Sequence, residues 1–193
     1  MLGVDYSRQS VEFARRIARE RARERERLLP TTQSPDDNNS TSVEEKGAGG
    51  EGEAREEVEF LEHDILRTPP SALLSGAQAR GWDVVLDKGT FDAISLSSET
   101  DPITGRRVSE SYKARILPLV CEGGFFLVTS CNWTEEELRG WFEGSKGEEE
   151  DEDTWRWRFE EVGKVEYPSF SFGGAKGQTI SSLCFRKTRN TGS

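Results

Sequence analysis

Short apolar runs alternate with amphipathic stretches along most of this chain. Residues 2–5, LGVD, read as a strand closed by an acid. Ser7 then stands as the N-cap of a helix with apolar positions at Val11, Phe13, Ala14, Ile17 and Ala18. Beyond Ala18 the apolar spacing stops, which predicts an exposed, arginine-rich extension of the helix. Val58, Phe60 and Ile65 frame a second strand, with His63 and Asp64 near its end. Thr68-Pro69-Pro70 breaks the chain before a short helix over residues 71–78. Residues 82–87, WDVVLD, are near-continuously apolar, the pattern of a strand buried on both faces of a sheet.

Downstream, Val108, Tyr112, Ile116, Leu117 and Val120 keep a helical spacing over residues 108–120, and Glu122-Gly123-Gly124 is the expected stop. Residues 125–129 form another buried strand. Thr134, followed by Glu135, Glu136 and Glu137, predicts an N-cap with acids in the first turn, where the helix dipole favours them. Residues 155–165 alternate, FSFGG marks a glycine turn, and residues 179–186 are a last apolar strand. No helical segment separates these two strands, so they are expected as an antiparallel pair closing an otherwise parallel, helix-alternating α/β sheet.

Composition changes this picture in two places. Mean hydropathy is -0.71 and 33% of the 193 residues are apolar, low for a globular domain. Residues 30–57 carry Val43 as their sole β-branched apolar residue and no aromatic, too little to offset the entropy of ordering, and are read as an acidic disordered insert. Residues 145–153, SKGEEEDED, form a second flexible acidic loop. The folded part is then residues 1–29 and 58–188, with 189–193 as a tail. The net charge of -10 argues against a nucleic-acid partner, which needs a basic face. Arg15 to Arg27 alternates with Glu20, Glu24 and Glu26, the pattern of a solvated helix face, with RNA or acidic-partner contact as the other reading. Cys121, Cys131 and Cys184 are widely spaced and His63 is the single histidine, so neither a disulfide framework nor a metal site is expected. No apolar run approaches the length of a membrane span, and a cytoplasmic monomer is expected.

Candidate chemistry gathers at strand ends. Asp5 occupies the position that binds ribose hydroxyls in nucleotide-binding α/β folds, with Tyr6 beside it; an acid there also serves as a plain cap. Asp64 can accept from an adenine amino group while Ile65 packs on the ring, although an acid before a loop needs no ligand. Asp87-Lys88-Gly89-Thr90 ends the third strand. Its glycine admits close approach of a ligand, and the alternative is a tight turn with Lys88 paired to a carboxylate. Asn132 and Trp133 bring an amide and an aromatic surface to the same edge, with a core tryptophan as the rival reading.

Taken together, LGVDYS, SVEFA, HDI, LDKGTFDAISL, FFLVTSCNWTEEEL and PSFSFGG closely resemble the class I, seven-β-strand lysine methyltransferases that modify eukaryotic elongation factor 1-alpha. The resemblance covers nearly all of the chain outside the acidic segments. It implies a Rossmann-like sheet of order 3-2-1-4-5-7-6, S-adenosylmethionine as cofactor and a protein substrate. By residue, it implies Asp5 and Tyr6 at the cofactor ribose, Asp64 and Ile65 at the adenine edge, and Asp87 by the methionine moiety and reaction centre as the candidate catalytic residue. Phe91 and Asp92 hold the turn that follows. Thr90, Asn132 and Trp133 face the substrate.

The family also has a helix and a central first strand ending in a GxGxG-type turn, which this sequence lacks ahead of Met1. The expectation is a shortened form of an otherwise intact enzyme. A non-catalytic remnant or binding protein is one alternative, and a nicotinamide-dependent oxidoreductase with its ribose acid at Asp5 is another.

Overall fold

A computed structural model describes residues 1–28, 58–144, 156–168, 170–172, 175–177 and 180–190. The expected insert at 30–57 and acidic loop at 145–153 lie outside the described residues. The chain divides into two compact units, Met1–Asp64 and Ile65–Ser193.

In the first unit, β1 (Leu2–Asp5) pairs in parallel with β2 (Glu59–Glu62), from Leu2 opposite Glu59 to Asp5 opposite Glu62. Helix α1 (Arg8–Leu28) starts where the Asp5 carboxylate accepts the Ser7 N–H at 2.7 Å and the Ser7 hydroxyl accepts the Ser10 N–H at 3.4 Å. Val11 is buried, and from residue 19 to 28 every position is exposed, as the loss of apolar spacing after Ala18 predicts. Strand β2 is shorter than expected. The His63 N–H donates to the Asp5 carbonyl at 2.9 Å, the chain then turns, and Ile65 lies beyond the strand.

The second unit is built on a four-stranded sheet of order β3-β4-β8-β5, where β3 is Trp82–Lys88, β4 Val120–Ser130, β5 Trp157–Lys164 and β8 Ser181–Arg189. Strands β3 and β4 are parallel, and β8 runs antiparallel to both of its neighbours. This is the 4-5-7-6 portion of the expected order, with the antiparallel C-terminal pair present. A small hairpin, β6 (Phe170–Phe172) with β7 (Ala175–Gly177), falls between β5 and β8 in sequence.

Helices α2 (Thr90–Leu96), α3 (Tyr112–Ile116) and α4 (Glu135–Phe142) cover one face of this sheet. Phe142 of α4 sits 5.1 Å from Phe126, 5.5 Å from Phe185 and 5.1 Å from Phe91 between ring centroids, and Phe159 stacks on Phe126 at 5.4 Å. All five rings are buried. Together they exclude water from the layer between helices and sheet, the main apolar contribution to this unit.

Three sequence expectations change here. The helix over 71–78 is two 3-10 turns, Pro70–Leu73 and Gly76–Gln78, separated by extended backbone at Leu74 and Ser75. The helix over 108–120 is one α-helical turn, α3, between 3-10 turns at Val108–Ser111 and Leu117–Leu119. Pro118 has no N–H to carry the α pattern onward. Glu122-Gly123-Gly124 does not end a helix, because β4 already begins at Val120. The glycines lie in a bulge between the pairings of Trp82 with Val120 and Val84 with Phe125. Gly81 sits against that bend, where a side chain would meet the Cys121 nitrogen at 2.5 Å.

Strand β3 is buried on one face rather than two. Val84 and Leu86 are 52% and 71% exposed, because α2, α3 and α4 pack on the opposite face. Strand β8 runs past the expected end at residue 186. Lys187 is buried, its ammonium donating to the Leu117 and Val120 carbonyls at 2.9 and 2.7 Å beneath the Trp157 ring. Burial pulls its pKa down.

Candidate active site

The candidate residues fall into two groups, one in each unit. In the first unit, parallel pairing brings the carboxyl ends of β1 and β2 to one edge. Asp5 closes β1, and Asp64 lies two residues past β2. One Asp5 oxygen takes the Ser7 N–H, and the other has no hydrogen-bond partner among the described residues. Tyr6 is exposed. The arrangement fits a ligand carrying hydroxyl donors: a half-buried carboxylate, oriented by its own helix start, with one oxygen open. His63, between the strands' end and Asp64, is buried with no hydrogen-bond partner for Nε2 among the described residues. Burial lowers its pKa, opposed by the charge of Asp64. Ile65 follows Asp64 as the first residue of the second unit.

In the second unit the edge is formed by β3 and β4, in register through Lys88 opposite Thr129. Gly89, at φ 91°, turns the chain from β3 into α2 through a conformation that side chains oppose. Asp87 is buried and braces this turn. One of its oxygens accepts the Thr90 N–H at 3.0 Å, while the other accepts the Phe91 N–H at 3.1 Å and the Tyr112 hydroxyl at 2.7 Å. Burial pushes the Asp87 carboxyl up, and the bonds from Tyr112, Phe91 and Thr90 oppose that shift. Tyr112 is pushed well above its ordinary value by its own burial and by the Asp87 charge. Lys88 and Thr90 are exposed.

The loop after β4 is tied to α2. Ser130 donates to one oxygen of Asp92, and the Cys131 N–H donates to the other at 2.9 Å. The Ser130 oxygen in turn accepts the Asn132 and Trp133 N–H groups at 3.1 and 3.0 Å. Asn132 is exposed. Trp133 is half-buried, its ring N–H donating to the Ser95 hydroxyl at 2.7 Å and its ring 5.6 Å from Trp141. Thr134 then opens α4 with a capping box: its hydroxyl accepts the Glu137 N–H, and the Glu137 carboxylate accepts the Thr134 N–H.

The structure therefore brings Asp87, Thr90, Asn132 and Trp133 to one edge of one sheet. It places Trp133 between the two sequence readings, with part of the ring packed and part exposed. Three participants escaped the sequence reading. Tyr112 lies 25 positions from Asp87, and nothing in local spacing links them. Ser95 sits inside α2 without a motif of its own. Ser130 had a usable signal, a hydroxyl just before a helix entry, where such side chains accept backbone N–H groups.

No protein-family model matches the sequence. Curated relatives do match. The protein-lysine N-methyltransferase efm4 of Schizosaccharomyces pombe is 30% identical over 186 residues, 96% of this chain and 57% of that protein. Protein-lysine N-methyltransferase EFM4 of Saccharomyces cerevisiae is 31% identical over 189 residues, 97% of this chain and 59% of that protein. The human EEF1A lysine methyltransferase 2 is 40% identical over 110 residues, 57% of this chain and 39% of that protein. The solved N-methyltransferase NodS of Bradyrhizobium japonicum aligns with 97% of this chain and 72% of its own, at a TM-score of 0.40 and 12% identity.

The chain is thus a homologue of protein-lysine N-methyltransferases. It is similar to the EEF1A lysine methyltransferase 2 and Efm4 proteins, and spans less than two thirds of their length. Homologues of this class imply S-adenosylmethionine as the methyl donor. No helix among the described residues is long and apolar enough to cross a membrane.

Proposed function

We propose that the protein is a lysine methyltransferase that uses S-adenosylmethionine and acts on elongation factor 1-alpha in the cytoplasm. The observation that carries this reading is the likeness to efm4 across 96% of the chain. In this reading the open oxygen of Asp5 accepts from the ribose hydroxyls, with Tyr6 alongside, and Asp64 and Ile65 serve the adenine edge. When bound, the donor supplies an electrophilic sulfonium methyl.

The chain's own residues supply position. A carboxylate has about four acceptor sites, and Asp87 already uses three of them on Thr90, Phe91 and Tyr112. Asp87 therefore shapes the Lys88-Gly89-Thr90 turn at the reaction centre rather than carrying off the proton of the target amine. A free lysine has a pKa of about 10.4, so the amine must arrive neutral or lose its proton to solvent as it enters. Alignment of amine and methyl then lowers the barrier by sparing the reactants their orientational freedom. Thr90, Asn132 and Trp133 form the rim that receives the lysine-bearing segment.

Calorimetry with S-adenosylmethionine and NAD side by side tests the cofactor assignment. Binding of the first and none of the second is expected; the reverse would return the oxidoreductase reading.

A further inference from the structure

The loop that follows β4 is held by one side chain. Asp92 is buried, and both of its oxygens act as acceptors, one for the Ser130 hydroxyl and one for the Cys131 N–H. A hydroxyl has one proton to donate and two lone pairs to offer. Ser130 uses all three: its proton goes to Asp92, and its lone pairs receive Asn132 and Trp133. The Asp92 carbonyl accepts the Ser95 hydroxyl at 3.1 Å, and Ser95 in turn receives the Trp133 ring N–H. Three consecutive backbone N–H groups and one indole are thus fixed to a single residue of α2. Among them stands exposed Asn132, on a backbone with little freedom left.

We propose that Asp92 is a positioning residue for methyl transfer. Through Ser130 and Ser95 it sets the geometry of residues 131–133 against the Asp87–Thr90 turn, and so fixes the rim on which the substrate segment docks. The inference rests on the methyltransferase reading given above. It also explains why an acid rather than an amide stands at this position. Asparagine offers one acceptor oxygen and an NH2 group that only donates. In one orientation its NH2 faces the Cys131 N–H; in the other it faces the Ser130 proton, which then has no acceptor.

The test is Asp92→Asn in the intact protein, read three ways. Amide hydrogen exchange at Cys131, Asn132 and Trp133 is expected to accelerate by about tenfold or more, as these donors lose their acceptors. The amides of Phe126 and Val128 in β4 should not change. Affinity for S-adenosylmethionine is expected to hold, while KM for elongation factor 1-alpha rises by about tenfold or more. Ser130→Ala frees Asn132 and Trp133 in the same way and carries the test if Asp92→Asn does not fold. Unchanged exchange in the loop, or equal acceleration in β4, would overturn the proposal. A loosened loop with KM and kcat unmoved would overturn it alone and leave the methyltransferase reading standing. Absence of any transfer by the wild-type protein would overturn both.

Discussion

The carboxylates at the sheet edges have different surroundings, and each makes a separate prediction. Asp5 keeps an oxygen open, so Asp5→Ala removes a charge-assisted acceptor worth about 1.5 to 3 kcal/mol, roughly tenfold to a hundredfold in affinity for S-adenosylmethionine. Calorimetry on the variant checks it, and undiminished affinity would reduce Asp5 to a cap for α1. Asp87 is spoken for by its neighbours. Its native pKa is raised, so the native state holds a proton where the unfolded chain has released it. The stability this contributes is complete below the unfolded value and is lost as pH rises through the native one. Tyr112→Phe removes a bond that favours the ionised form. The Asp87 carboxyl should therefore titrate higher still, and the variant should lose about 1.5 to 3 kcal/mol at neutral pH and less in acid. Carboxyl NMR titration and urea unfolding at two pH values measure both effects. A downward pKa shift would show that the phenol does not stabilise the charge.

Among the elements, the sequence foretold most where local chemistry decides the outcome. The capping box at Thr134, the apolar start of α1 and the antiparallel pairing of β5 with β8 follow from residues close together in the chain or from unbroken alternation. Thr134→Ala is accordingly expected to cost about 1 kcal/mol of unfolding free energy. A loss near zero in chemical denaturation would mean that the Glu137 arm of the box suffices. What the sequence concealed was decided by tertiary contacts or backbone geometry. Helical spacing over 108–120 is real, but Pro118 and the early start of β4 divide it into short turns. WDVVLD has the composition of a strand covered on both sides, although the helices of its unit cover only one. At the site, strand-end acids were visible as positions, whereas the use made of Asp87 depends on Tyr112, which only folding brings near.

For the whole molecule, each unit carries its own candidate edge: a carboxylate edge suited to a ribose in Met1–Asp64, and a braced turn and loop suited to a lysine-bearing partner in Ile65–Ser193. Lysine methylation is tested most directly by offering the protein elongation factor 1-alpha with isotope-labelled S-adenosylmethionine, followed by peptide mass spectrometry. Label is expected on a lysine ε-amine of elongation factor 1-alpha, reduced by Asp5→Ala through donor affinity and by Asp92→Asn through KM for the protein substrate. Bound donor with no labelled lysine, or label carried on another kind of side chain, would contradict it.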